Sequence, residues 1–144
     1  MTPSGGWMVG DAIEQVALQC DPVRILRFGA TTHNAHRIHY DTDYARAEGL
    51  PDPVVMAQLQ GTLFFRAAAR LAGELGAVTS VTWRNRAPAP VGCVLTVSGT
   101  VTRIEGDRIE VTLVEHADDG ALCAEGSAVI TTTPRIVTAV NPVC

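Results

Sequence analysis

Met56-Ala57-Gln58-Leu59-Gln60-Gly61-Thr62-Leu63-Phe64-Phe65-Arg66-Ala67-Ala68-Ala69-Arg70-Leu71-Ala72-Gly73-Glu74-Leu75-Gly76 has the period of an amphipathic helix. Met56, Leu59, Leu63, Ala67, Leu71 and Leu75 recur at steps of three and four, which stacks them on one face of a helix of about five turns ended by Gly76. Phe64, Ala68 and Ala72 widen that face, while Arg66, Arg70 and Glu74 draw a polar line at four-residue steps. Pro51-Asp52-Pro53 breaks the chain just before it. A helix with so much apolar surface must be wrapped by the rest of the chain.

The wrapping follows in sequence. Residues 78–85, 93–104, 108–115 and 122–133 are rich in β-branched side chains and read as strands, separated by Pro88-Ala89-Pro90-Val91-Gly92, Glu105-Gly106-Asp107 and Asp118-Asp119-Gly120. Consecutive strands with short connections predict an antiparallel meander, and residues 12–18 offer a further strand at its edge. Upstream, Asp21-Pro22 is a helix start, because Asp accepts from exposed amides and Pro has no N–H to satisfy at the first helical position. A short helix over Val23, Ile25, Leu26 and Phe28 follows, then a second over 41–48 closed by Gly49. Residues 1–10 and 134–144 read as irregular. Short helices, one long helix and then antiparallel strands is the element order of an α+β sheet curled around a central helix, in one domain.

Composition narrows the function classes. At 144 residues the chain can bury one core without a staple, and its net charge of −4 leaves no nucleic-acid footprint. All 11 cationic side chains are Arg, which excludes Schiff-base catalysis by a lysine of this chain. Cys20, Cys93, Cys123 and Cys144 are too scattered for a framework or a CxxC pair, so free thiols in a reducing cytosol are expected. No apolar run approaches the roughly 20 residues that span a bilayer, and Met1 to Gly10 lacks a leader pattern; a soluble, cytoplasmic protein is the expectation.

Chemistry concentrates in Arg27-Phe28-Gly29-Ala30-Thr31-Thr32-His33-Asn34-Ala35-His36-Arg37-Ile38-His39-Tyr40-Asp41, which holds three of the four histidines. Imidazole takes up and returns a proton near neutrality, so such a density of proton-transfer groups points to acid–base work. His33, His36 and His39 stand three apart, a spacing that shares a metal on a helix, but no long helix or acidic or Cys ligand accompanies them, and neither metal nor cofactor is expected. None of the cysteines has a His or Gly-rich context that would make it a nucleophile.

This stretch resembles the signature of MaoC-like hot-dog proteins, in particular the branch of type 2 3-hydroxyacyl-thioester dehydratases and mesaconyl-C4-CoA hydratases. The likeness continues through Glu48-Gly49-Leu50-Pro51, Val54-Val55, Leu59-Gln60, Thr62-Leu63 and Trp83-Arg84-Asn85-Arg86-Ala87-Pro88. R-specific enoyl-CoA hydratases of the wider family carry an Asp followed five positions later by a His; here these positions are Asn34 and His39, and asparagine is usual in the dehydratase branch. Where the family opens its central helix with His-Gly, this chain has Met56-Ala57.

The resemblance implies a hot-dog fold and an enoyl-thioester hydratase or 3-hydroxyacyl-thioester dehydratase acting on an acyl-CoA or carrier-bound chain. It implies that His39 activates water, that Asn34 orients it, and that the Ala57 amide receives charge on the thioester oxygen. Met56 then shapes the acyl site. His36 and Arg37 either order the loop or touch substrate phosphates, and Arg84 and Arg86, which strand alternation puts on one face, either meet phosphates or remain solvated. Asp41 either fixes an imidazole tautomer or caps the helix after it. A homodimer is implied, with the acyl tunnel near the interface. Met56-Ala57 keeps two alternatives open: a half-active subunit of a heterodimer with a second hot-dog chain, or an enzyme reassigned to a biosynthetic cyclisation by internal addition to an unsaturated acyl group. A thioesterase would want a carboxylate at the start of the central helix, and none stands there.

Overall fold

The computed structural model describes residues 6–133. Residues 1–5 and the tail from Pro134, including Cys144, lie outside the described residues. The elements run β1 (Val16–Gln19), α1 (Pro22–Thr32), a 3-10 turn (Arg37–His39), α2 (Thr42–Ala47), α3 (Ala57–Ala72), β2 (Ala77–Asn85), β3 (Val94–Glu105), β4 (Arg108–Ala117) and β5 (Leu122–Thr131). One antiparallel sheet in the order β1-β3-β4-β5-β2 curls around α3, which touches β1, β2, β3 and β5. Leu63, Phe64, Ala67 and Ala68 of α3 are buried against Leu95, Val97, Val111, Leu113 and Ile130 of the sheet. Gly61 allows the closest approach, since a Cβ there would come 2.3 Å from Cζ2 of the Trp83 indole.

Three expectations change. The long helix ends at Ala72, not Gly76, because Gly73 adopts φ 70° and its N–H closes back on the Ala69 carbonyl. Leu75 therefore leaves the apolar face and is exposed. Gly76 instead passes so close to the Ala72 and Thr131 carbonyls that any Cβ would collide with them. The simple meander holds for β3, β4 and β5 only. β2 pairs with β5 at the far edge, from Ala77↔Thr131 to Asn85↔Ala124, with a bulge between Val78 and Ser80. Segment 86–93 makes no hairpin back to β3; it is tied to the approach of α3 by Val55 N–H to the Ala89 carbonyl and Val91 N–H to the Pro53 carbonyl. The edge strand begins at Val16, and Ala12 makes only an isolated bridge to Thr100.

The helix caps follow the sequence. Asp21 accepts from Arg24 N–H and Asp41 from Tyr44 N–H, each at 3.0 Å. Inward positions of β4 alternate as Ile109, Val111, Leu113, Glu115 and Ala117, so Glu115 occupies a core position in an otherwise apolar row. Burial pushes its pKa up to about 7, with the Gln60 amide acting in the opposite direction. The thiols of Cys20, Cys93 and Cys123 are its buried neighbours, and desolvation raises Cys20 to about 12 and Cys93 to about 11, which keeps both protonated. No helix among the described residues is long and apolar enough to cross a membrane.

A carboxyl whose pKa is raised on folding binds its proton more tightly in the native state. Its contribution is therefore intact below the unfolded carboxyl pKa and lost as pH rises through the window from there to about 7. The loss is on the order of 3 kcal/mol. Chemical denaturation across that window is expected to show stability falling with pH in the wild type, and Glu115→Gln is expected to remove that component of the slope.

Candidate active site

His39 is held by the 3-10 turn that joins α1 to α2. His36 caps this turn, its Nδ1 accepting from Ile38 N–H at 3.2 Å, and Val54 N–H donates to the Ile38 carbonyl at 3.0 Å. The turn and the strand-like segment before α3 thus grip one another. The result is that His39, buried at 7% exposure, lies with Nδ1 2.7 Å from the Val54 carbonyl. A carbonyl only accepts, so Nδ1 carries the hydrogen and Nε2 is left with its lone pair. Asn34 Nδ2 stands 3.5 Å from that Nε2, and Asn34 Oδ1 accepts from His36 N–H at 3.3 Å, which directs the amide nitrogen toward the imidazole.

Asn34 is placed by the end of α1. His33 takes the left-handed conformation there, at φ 55°, and Asn34 N–H donates to the Gly29 carbonyl at 2.9 Å. Gly29 has no room for a side chain: a Cβ would lie 2.8 Å from the Asn34 carbonyl oxygen and 3.2 Å from Met56 Cε. Asn34, the end of α1 and Met56 are therefore packed through a glycine.

Asn34 and His39 line two adjoining spaces. One is an apolar cavity of about 690 Å3 between α1 and the start of α3, walled by Ile25, Leu26, Gly29, Ala30, Met56 and Val91. The other is a more open cleft of about 550 Å3 walled by His36, Ala57, Gln60, Asn85, Arg86 and Pro88. Met56 is the buried N-cap of α3 and makes no side-chain cap, while Ala57, Gln58 and Leu59 begin the helix with amides that have no intrahelical acceptor. The positive end of a 16-residue helix faces the same region as the bare Nε2. Donors for a developing negative oxygen and a base for a proton are side by side.

The structure thus brings together His39, Asn34, Ala57, Met56, His36 and Arg86, and leaves Arg37 and Arg84 apart. Arg37 is committed to Asp41 at 2.7 Å and stacks over the Tyr44 ring at 4.5 Å. Asp41 caps α2, and the Tyr44 amide followed by the Arg37 guanidinium holds its carboxyl below the usual range. The Val54 carbonyl, not Asp41, sets the His39 tautomer. Arg84 and Arg86 both flank Glu125, as alternation predicts, and lower its pKa, with Arg86 ion-paired to it. Arg84 lines a depression on the sheet with Thr82, Thr112 and Ser127, whereas only Arg86 reaches the cleft. The role of the Val54 backbone and the cleft positions of Gln60 and Asn85 were not read from sequence; a carbonyl leaves no residue-type signal.

Residues 10–91 match the family model described as hydroxyacyl-thioester dehydratase type 2. The mesaconyl-C(4)-CoA hydratase of Chloroflexus aurantiacus is 36% identical over 114 residues, which is 78% of this chain and 38% of that protein. The chain therefore spans less than half the length of that relative. Among solved structures, the ChsH1–ChsH2 complex from Mycobacterium tuberculosis is similar at TM-score 0.77 and 25% identity, covering 86% of this chain and 97% of the other. The (R)-hydratase from A. caviae involved in PHA biosynthesis is similar at TM-score 0.81 and 21% identity, covering 91% and 100%; it shares the hot-dog fold.

The hydrogen bond to Val54 makes a definite statement about protons. Long-range nitrogen–proton correlation spectra of the neutral His39 imidazole are expected to show the Nδ1–H tautomer; an Nε2–H tautomer would remove the base that this geometry provides.

Proposed function

Because this chain belongs to the hydroxyacyl-thioester dehydratase type 2 family, we propose that it adds water across the 2,3-double bond of an enoyl thioester and, in reverse, dehydrates the 3-hydroxyacyl thioester. One observation carries this reading: the unprotonated Nε2 of His39 lies beside the Asn34 amide, close to the free amides that open α3. The apolar cavity suits an acyl chain, and the cleft with Arg86 suits the polar arm of a CoA or carrier thioester.

In the forward direction Asn34 Nδ2 donates to the water oxygen and His39 Nε2 accepts one of its protons as the oxygen bonds to C3. Electrons move through C2 into the thioester carbonyl, whose oxygen is held by the Ala57 N–H and the positive end of α3. The imidazolium, still paired through Nδ1–H to the Val54 carbonyl, then returns the proton to C2. A single group takes and gives the proton, so both new bonds form on one face. Ala57 supplies the same backbone donor that a glycine would, with a methyl added at the mouth, and Met56 makes the acyl side of the junction apolar.

A second reading has its own support. Met56-Ala57 stands where the family opens the helix with His-Gly, β2 is an edge strand among the described residues beside the Phe65–Trp83 ring pair, and one similar structure is a complex of two chains. On that reading a second hot-dog chain covers β2 and completes the site.

Incubation with short and medium 2-enoyl-CoA, following loss of the conjugated thioester absorbance, tests the first reading. Wild type is expected to turn over; His39→Ala should lower kcat/KM by ~10²–10⁴, and Asn34→Ala by about tenfold, the worth of one hydrogen bond. Sedimentation of the chain alone separates the second reading. A well-defined, active homodimer removes the need for a partner chain, whereas a folded but silent or polydisperse chain favours one.

A further inference from the structure

Among the described residues, Glu115 is a core position whose chemistry the packing leaves unexplained. It stands between Val97 of β3 and Ala124 of β5, fully withdrawn from solvent, and neither carboxyl oxygen has a hydrogen-bond partner. Such burial is costly unless it serves something. Gln60 of α3, itself 2% exposed, likewise has a buried polar atom without a partner, its Nε2, and its amide opposes, without cancelling, the rise that burial gives the Glu115 pKa. Gln60 Oε1 accepts from Asn85 Nδ2 at the end of β2. Asn85 is exposed and, with Gln60, lines the cleft that holds Ala57, Asn34 and His39. Three polar side chains from three elements thus run from the middle of the core to the wall of the site.

A chain of amides has a direction. Ionised or protonated, the Glu115 carboxyl offers an accepting oxygen, and because Gln60 Oε1 already takes Asn85 Nδ2, Gln60 has Nε2 left for Glu115 and Asn85 Oδ1 is left for the cleft. Among the described residues, the titratable groups facing Glu115 are the thiols of Cys20 beyond β1, Cys93 before β3 and Cys123 of β5, all held protonated by burial, and no cation acts on it beside Gln60. We propose that Glu115 and Gln60 are positioning residues that fix the Asn85 amide with its carbonyl oxygen toward the cleft, where it accepts an N–H of the pantetheine arm of the thioester. CoA and carrier-protein substrates share that arm, so the contact reads the arm and not the nucleotide. The proposal rests on the thioester reading of the site.

Calorimetric titration with two unreactive probes, butyryl-CoA and butyryl-pantetheine, tests it on the full chain. Asn85→Ala, at an exposed position, is expected to weaken both by the same factor, roughly five- to twentyfold. Gln60→Leu should produce the same equal loss, and Gln60→Glu, which keeps an oxygen for Asn85 and can share one proton with Glu115, should restore affinity. Unchanged affinity in Asn85→Ala, or a loss confined to butyryl-CoA, overturns the proposal. Turnover of an enoyl-CoA by wild type is measured separately. Turnover with Asn85-independent binding sinks the proposal alone; Asn85-dependent binding without turnover keeps the contact and removes the hydratase reading; binding of neither probe removes both.

Discussion

Leu63, Phe64, Ala67 and Ala68 give α3 an apolar surface too wide for one neighbour to cover, and hiding it from water is the constraint on which the rest depends. A flat sheet would cover one side only. The five strands therefore curl, and the strand that follows α3 closes the curl at the far edge against β5 instead of turning back on β3. That choice sends segment 86–93 across the mouth of the fold, where it is pinned to residues 53–55 by two backbone hydrogen bonds. Residues 53–55, so held, carry the Val54 carbonyl, and that carbonyl sets the proton on His39. Covering a helix and choosing an imidazole tautomer are linked by one continuous stretch of backbone.

The site spends little side-chain charge. On the proposed reading its base is an imidazole, its orienting group an amide, and its anion donors backbone N–H groups at a helix start, all of which keep their directions because the backbone around them is fixed. The charged groups nearby do other work: Arg37 and Asp41 hold the turn and cap α2, and Arg86 is shared with Glu125 at the rim. Neutral groups suit a reaction in which negative charge appears only briefly on the substrate oxygen, since a fixed charge at the same place would be solvated or paired beforehand. The exception is Glu115, held behind the site and away from water.

Much of this was legible in the chain. The repeat from Met56 to Leu71, the Asp21 and Asp41 caps, and the four strand segments follow from spacing and turn chemistry, because each depends on residues near one another in sequence. The clustering of Asn34 with His39 was legible for the same reason. What failed did so for physical causes. The helix stops at Gly73 because a positive φ there satisfies the last carbonyls, and the apolar spacing of Leu75 could not show that. Arg84 and Arg86 share Glu125 as alternation requires, yet only the one past the strand end reaches the cleft, which depends on where the chain turns.

By itself, then, the sequence determined the local elements and the residues able to move a proton, since propensity, capping and imidazole chemistry are properties of short stretches. Only the tertiary structure decided which nitrogen of His39 is bare, that Met56 and Ala57 face different spaces, and that Gln60 of α3 bonds Asn85 of β2 at the cleft wall. Each of those rests on a contact between segments far apart in the chain. The energy that brings them together comes from burying α3, and no spacing within one segment records it.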